Sequence, residues 1–371
     1  MKIGMITFSR SRNYGAVLQT YATYNYLSNL GNKVEIIDYV PKRYDFRKQN
    51  IPYLLRGTKW NKNFVTRFLW KNVVYKNLRK NHKLFWEFIS NKTNLTSSIY
   101  NENDLSIFEN SYDVVISGSD QIWNSDFTDD KMPEKPFFLS FVGDKTKKYS
   151  YSSSFGKSEL SVDEEATVLN LLSRYDYITT RENTGLSIIK NLGLDGKVIL
   201  DPTLISGSEL WNTMCSDRII KEKYMLFFQI FPNSNRLEKC KKIAEKKGLK
   251  LFVIVPNIND KYRIKGTNVI VLPTVEDWLS YFKYADFIVT DSFHATAFSI
   301  MFERQFLVDS NVTYNNRMAT LLGNLNLENK MCNLLKEDSF EFDSIDYSIV
   351  SPKLNSIRED SKEIIKKMLE L

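Results

Sequence analysis

Short apolar runs alternate with amphipathic stretches along most of the chain, the pattern of parallel α/β units. IGMITF at 3–8 reads as a buried strand, followed by a polar turn and a helix from Gly15 to about Leu30. KVEIID at 33–38 predicts the second strand. Further strands are predicted at 113–117, 147–153, 175–180 and 197–200, with helices near 161–173 and 182–191. Periodicity fades over 201–222, and a domain boundary is expected there. A second series follows, with strands at 224–231, 250–255, 268–271, 286–290 and 305–309. Its helices are expected at 233–247, 274–283 and 293–303, and a last helix at about 355–370. The expected fold class is α/β, with two Rossmann-like domains facing a cleft. The first covers 1–210 and the second 222–350, while 351–371 forms a helix packing back on them. In such sheets ligands sit beyond the carboxyl ends of the strands, so those loops are where chemistry is sought.

Composition narrows the function classes. The 371 residues are 43% hydrophobic and 26% charged, a balance that buries a sizeable core. The longest apolar candidate for a membrane span, Tyr284–Phe302, is interrupted by Asp286, Asp291 and His294. MKIGMITFSRSRN lacks the apolar length and cleavage site of a signal peptide, so a cytoplasmic location is expected. Cys215, Cys240 and Cys332 form no pair motif, and with only His82 and His294 a multi-histidine metal site is excluded. No metal or cofactor is expected.

Charge is concentrated in one segment. The net charge is +7, but residues 42–92 hold 14 Lys/Arg against Asp45 and Glu87, a local net of +12. The same stretch carries Trp60, Phe64, Phe68, Trp70, Tyr75, Phe85, Trp86 and Phe88. Apolar residues at 65, 69, 74, 78, 85 and 89 follow helical spacing with slips. Two readings stand: a basic helical insertion that meets an anionic membrane surface, and a solvated hairpin whose aromatics pack on the domain. No recognition motif accompanies the charge, so nucleic acid is not an expected partner. His82 is expected at the surface.

Several loops can carry chemistry. Arg10, Arg12 and Asn13 precede the first helix, whose N-terminus favours an anion. GxGxxG and GxxxxGK are both absent. Strand 113–117 runs into GSDQIWN, where Gly118 permits a tight turn and Ser119, Asp120 and Gln121 are expected at the start of the next helix. Asp120 is either a helix cap or a general base on a sugar hydroxyl, with Trp123 as a stacking surface. Lys157 leaves a strand end as a point charge for phosphate. Arg181 stands at a strand-to-helix junction, able to clamp a carboxylate or phosphate, and Glu182 beside it reads as a first-turn helix residue. In TDSFHATAFSIMF, Asp291, Ser292 and His294 lead from a strand into a helix. Arg317, after Asn316, offers another anion contact.

The stretches RNYGAVLQTYA (12–22), VVISGSDQIWN (114–124), YSSSFGK (151–157), ITTREN (178–183), VILDPTL (198–204) and TDSFHATAFSIMF (290–302) resemble the polysaccharide pyruvyl transferase family. They occur in the family's order, and the resemblance runs from residue 3 to about 323. It implies the GT-B-like architecture and transfer of the enolpyruvyl unit of phosphoenolpyruvate to a sugar hydroxyl pair of a surface or capsular polysaccharide or its precursor. A pyruvate ketal forms and phosphate is released. It also implies a saccharide acceptor, lipid-linked in many pathways, which would give the 42–92 segment a purpose at the membrane. In role terms His294 becomes the phosphate contact or the acid, Arg181 the clamp, and Asp120 the base with Asp291 as its substitute. Some family branches have an arginine before the hydrophobic-His pair where this chain has Ser292, leaving anion binding to Arg181, Arg317, Arg12 or Lys157. Many have glycine where this chain has Ala295. The alternatives are a nucleotide-sugar glycosyltransferase and a non-enzymatic membrane-surface adaptor. The paired glutamates eight positions apart that many such glycosyltransferases carry are missing here: Ala295 lies eight before Glu303, and Tyr284 eight after Glu276.

Overall fold

The computed structural model describes residues 1–56, 58–230, 233–256, 267–310, 316–336 and 343–370. Its strands are β1 (Lys2–Ile6), β2 (Lys33–Ile36), β3 (Val114–Ser117), β4 (Lys147–Ser150), β5 (Thr179–Thr180), β6 (Lys197–Val198), β7 (Tyr224–Phe228), β8 (Lys250–Val255), β9 (Asn268–Val271), β10 (Phe287–Thr290), β11 (Gln305–Asp309) and β12 (Met331–Cys332). The first sheet has the order β2-β1-β3-β4, and the second β12-β11-β10-β7-β8-β9. Every pairing within them is parallel. β3, β7 and β10 are buried along their whole length, as strands covered by helices on both faces must be. The β5–β6 pair continues the first sheet through single bridges from Tyr177 to Tyr149 and from Thr180 to Ser153.

The major helices are α1 (Tyr14–Asn29), α2 (Ile51–Leu55), α3 (Phe64–Leu69), α4 (Tyr75–Lys92), α5 (Val162–Leu172), α6 (Asn183–Asn191), α7 (Pro202–Ile205), α8 (Gly207–Met214), α9 (Ser234–Lys247), α10 (Val275–Lys283), α11 (Phe293–Met301), α12 (Asn316–Leu325) and α13 (Tyr347–Met368). Three boundaries differ most from the sequence reading. The first strand stops at Ile6, because the chain turns at Thr7, whose carbonyl accepts from Ser9 N at 2.8 Å. The stretch 201–222 contains α7 and α8, announced by Asp201 as N-cap and Pro202 in the first turn. α13 begins eight residues before the expected start and runs through Pro352, with Asp346 accepting from Ser348 N at 2.9 Å. Residue 231, expected as a strand end, lies outside the described residues.

α7 lies among α1, α11 and α13, so the connection between the sheets is packed into the molecule's centre. α13 spans the same junction: Arg358 Nε donates to Leu204 O at 2.7 Å, and Ser361 Oγ accepts from Leu200 N at 3.1 Å. Tyr14 closes the seam from the other side. Its ring stacks on Trp278 at 5.3 Å, and its hydroxyl donates to Pro273 O at 2.7 Å. A stacked pair of this kind is worth about 0.5–1.5 kcal/mol beyond its buried area.

The basic segment is an insertion after β2. Phe46, Leu55, Trp70 and Tyr75 form a small core of their own, while α4 packs Phe85, Phe88 and Ile89 into the main core beside α1. A π-helical turn at Trp70–Val74 separates α3 from α4. It accounts for the five-residue step from Leu69 to Val74 in the apolar spacing, which rotates the face of α4 relative to α3. Trp60, Trp70 and Tyr75 therefore pack inward, whereas Phe64 is 81% and Phe68 58% exposed. His82 is half-buried against Phe46, with ring centroids 5.0 Å apart, not at the surface as expected. Burial, and then the charges of Arg10 and Arg12, push its imidazole down to about 4. Among the described residues no helix is long and apolar enough to cross a membrane.

Candidate functional site

Each sheet has one point where successive strands turn to opposite sides: between β1 and β3 in the first, and between β7 and β10 in the second. The loops leaving these four strands meet in one cavity of ≈ 200 Å³. Phe8, Ser11 and Asn13 come from the loop after β1, and Asp120 and Gln121 from the loop after β3. Ile230 follows β7, and Asp291, Ser292, Phe293 and His294 follow β10, with Arg317 entering from α12. A larger cleft of ≈ 870 Å³ lies between α4 and the β9–α10 connection, away from both turning points.

Local sequence positions these groups. Ser292 caps α11, its Oγ accepting from Ala295 N at 3.4 Å, which sets His294 in the first helical turn. Asn13 caps α1, its Oδ1 accepting from Gly15 N at 2.8 Å, and brings Gly15 against the imidazole. A Cβ at Gly15 would fall 2.8 Å from His294 Cβ and nearer still to Cγ and Nδ1. The helix expected to begin at Ser119–Gln121 does not form there, because the chain turns at Asp120, whose φ of 75 is a left-handed conformation that aspartate tolerates better than most residues. The Asp120 carbonyl accepts from Ser154 N at 2.9 Å, which pins the turn to the loop after β4.

Behind the cavity wall lies a charged network. Arg181 Nη1 donates to Asp201 Oδ2 at 2.8 Å, and Nη2 donates to Asp120 Oδ1 at 3.2 Å. Its Nε lies 3.9 Å from Glu182 Oε2, and its guanidinium covers Phe293 at 4.6 Å. Asp201 also accepts from Ser119 Oγ at 3.2 Å and from Thr203 N and Oγ1 at 3.0 and 2.7 Å. His294 Nε2 is 3.6 Å from the same carboxylate. Burial works against ionisation of Asp201, but His294, Arg181 and Thr203 outweigh it and hold the carboxyl well below its ordinary range. Asp120 is lowered as well, burial being overcome by Arg181, His294 and Arg317. Burial pushes the Glu182 carboxyl up, despite Arg181 and the bond from Ser154 Oγ at 2.7 Å.

Arg317 differs from Arg181. Among the described residues no carboxylate lies within 4.0 Å of it, and its buried Nε has no hydrogen-bond partner. Gln121, with its amide oxygen turned toward Arg317, accepts from Nη1 at 2.9 Å and Nη2 at 2.6 Å. Burial, followed by the repulsion of Arg181, holds the guanidinium down to about 10. An anion in the cavity would relieve both effects.

The structure thus brings together Asn13, Asp120, Gln121, Ser292, His294 and Arg317 on the cavity wall, with Arg181 and Ser119 behind it. Other expected residues lie elsewhere. Trp123 is fully buried, stacked on Phe138 at 5.4 Å with Nε1 donating to Phe137 O at 3.2 Å, and offers no face to a sugar. Lys157 is held by Ser125 Oγ at 2.6 Å and Glu164 Oε1 at 2.9 Å, so its charge is already matched. Arg12 lies over Phe46 at 5.0 Å, toward the insertion. Asp291 reaches the cavity, and its carboxylate accepts from Ile230 N at 2.7 Å and lies 3.6 Å from Arg236 Nη1. Arg181 is no open clamp, since Asp201 and Asp120 occupy it. The sequence reading passed over Asp201 and Glu182 as site residues. The Asp-Pro-Thr cap signal at 201–203 was the available clue.

Asp201→Asn is expected to cost about 3 kcal/mol at neutral pH, because it leaves buried Arg181 short of its nearest counter-charge. The folded carboxyl sits below its unfolded value of about 3.9. Its contribution is therefore complete above that pH and fades as pH falls toward the folded value. Urea denaturation of wild type and variant should show the gap narrowing below about pH 4. A gap independent of pH would contradict this account.

A sequence model described as Polysaccharide pyruvyl transferase matches residues 13–310. No match is found among curated proteins. Among solved structures, the UDP-N-acetylglucosamine 2-epimerase of Rickettsia bellii has a TM-score of 0.53 at 10% identity, covering 100% of this chain and 96% of its own. S. aureus MnaA with UDP gives 0.54 at 12% identity, covering 100% and 97%. The UDP-GlcNAc 2-epimerase of Neisseria meningitidis bound to UDP-GlcNAc gives 0.51 at 10% identity, covering 100% of both chains. At such identities the likeness shows the fold alone, which is GT-B: two parallel α/β halves about a cleft, here with the basic helical insertion in the first.

Proposed function

Because this chain belongs to the polysaccharide pyruvyl transferase family, we propose that it transfers the enolpyruvyl unit of phosphoenolpyruvate to two hydroxyls of a saccharide, forming a pyruvate ketal and releasing phosphate. The observation that carries the donor assignment is Arg317, a buried cation on the cavity wall with no carboxylate within 4.0 Å among the described residues. The cavity's ≈ 200 Å³ also suits a phosphorylated three-carbon acid. A larger ligand generally takes about 300–1,000 Å³.

In this reading Arg317 binds the donor's phosphate or carboxylate, and the helix N-terminus at Ser292 adds N–H groups to the same anion. His294 delivers a proton to the methylene carbon of phosphoenolpyruvate, and C2 becomes electrophilic. The first sugar hydroxyl forms its C–O bond to C2 while Asp120 takes the hydroxyl proton. The C2–O bond to phosphate then breaks, and the second hydroxyl closes the ketal. Of the two protons released by the hydroxyls, one restores His294 and the other leaves with phosphate. Arg181 is a positioning residue, holding Asp120 and Asp201 in place. Acid and base groups in such steps contribute about 10²–10⁴-fold each.

The test is calorimetric titration of the full chain with phosphoenolpyruvate beside UDP-GlcNAc. Saturable binding of phosphoenolpyruvate is expected. Binding of UDP-GlcNAc in its place would make the chain a nucleotide-sugar enzyme and overturn the reading.

The insertion supplies a second proposed partner, an anionic membrane surface. Phe64, Val65 and Phe68 project from α3 beside the exposed Lys62, Arg67 and Lys71. This pairs an apolar wedge with charge for lipid head groups. Phe64→Ser with Phe68→Ser is expected to reduce co-sedimentation with phosphatidylglycerol vesicles about tenfold or more, with the fold intact because both rings are exposed. Equal sedimentation of variant and wild type, or binding to neutral phosphatidylcholine as strong as to anionic vesicles, would refute it.

A further inference from the structure

A second concentration of unmatched positive charge lies outside the donor cavity, in a groove of ≈ 710 Å³ between the loop after β2 and α4. Lys76, Arg79 and Lys80 stand at i, i+3 and i+4 on α4 and share one helical face, with Lys48 on the opposite wall. All four are exposed, and among the described residues none has a carboxylate within 4.0 Å.

Of the groove's other cations, Lys83 lies 3.4 Å from Glu87, and Arg10 and Arg47 are fixtures. Arg10 is held by Asp38 and covers Trp86 at 3.2 Å. Arg47 bonds Asp45 at 2.8 Å and covers Tyr100 at 3.2 Å. They build a rigid aromatic floor whose charge is already balanced. His82, in the wall, keeps an uncharged imidazole near neutral pH, and its buried Nε2 has no partner. The groove and the donor cavity share Tyr44 as a common wall. A ligand in the groove would therefore extend directly to the reaction centre.

We propose that this groove is the acceptor subsite, holding the diphosphate end of a phosphorylated saccharide while its hydroxyls reach past Tyr44 to the donor. The inference rests on the donor reading for what happens beyond Tyr44, but the groove's ligand chemistry is independent of it. Four unmatched cations lining one concavity suit a compact diphosphate better than the widely spaced carboxylates of a polymer. A bilayer is flat and would engage the convex α3 surface, not a recess.

The test uses inorganic pyrophosphate as probe in calorimetric titrations of the full chain, the Lys76→Ala/Arg79→Ala/Lys80→Ala variant and Arg317→Gln. Wild type is expected to bind one pyrophosphate in the groove, and the triple variant to bind it about tenfold or more weakly, with phosphoenolpyruvate affinity unchanged. Arg317→Gln should keep the pyrophosphate site and lose the donor. Equal pyrophosphate affinity in the triple variant, or its loss in Arg317→Gln, would overturn the groove as a subsite. So would a triple variant that loses only phosphatidylglycerol vesicle binding. If pyrophosphate behaves as expected and phosphoenolpyruvate binds nowhere, the groove stands and the donor assignment alone falls.

Discussion

Arg317→Gln is expected to weaken phosphoenolpyruvate binding roughly 100-fold, because a charge-assisted pair of hydrogen bonds to an anion contributes about 2–3 kcal/mol. The stability of the variant should move the other way or not at all. Arg317 is desolvated and repelled by Arg181, and these two effects outweigh the attraction of the more distant Asp120, Glu182 and Asp201, none within 4.0 Å. Glutamine removes that repulsion and keeps a partner for Gln121. Lower affinity with an equal or higher melting temperature marks a residue kept for binding at the expense of the fold. Calorimetry and thermal denaturation on the same preparation give both readings. An affinity within threefold of wild type would place the donor elsewhere.

The second large effect concerns a residue with no functional atoms. In Gly15→Ala the new methyl would overlap His294, so the imidazole must leave its position against Asp201. Misplacement by about 1 Å at a reacting group can cost about 100-fold in rate, and a fall in kcat of that order is expected. Alanine is otherwise the better helix residue by about 0.5–1 kcal/mol. In a His294→Gly background, where both the ring and the Cβ it hangs from are gone, the same substitution should leave the residual rate unchanged and raise stability slightly. That non-additivity distinguishes a clash with His294 from general damage to α1. A Gly15→Ala enzyme with wild-type kcat would remove His294 from the chemistry.

Much of this arrangement was legible in the chain. Buried parallel strands announce themselves as apolar runs such as FIVT and VVIS, and the loops after them held most of the residues now found on the cavity wall. Pairings between distant loops were not legible. Asp201 sits where periodicity fades, and only the fold brings it to Arg181, Ser119 and His294. Lys157 looked like a free cation because Glu164, seven residues on, reaches it only once α5 is in place. Trp123 follows a polar turn, and nothing local says that its ring folds inward onto Phe138 and Phe155. In the insertion, the step of five between Leu69 and Val74 looked like noise in the spacing and is a π-helical turn.

The contact between Gly15 and His294 joins the two sheets at the proposed reaction centre, one residue along α1 from the Tyr14–Trp278 seam. Neither half owns the site; it exists only at one relative angle of the two. The enzyme therefore works as a caliper whose jaws are α1 and α11. The spacing of the jaws sets the room beside the imidazole, which as it stands leaves no space for even one methyl group at residue 15.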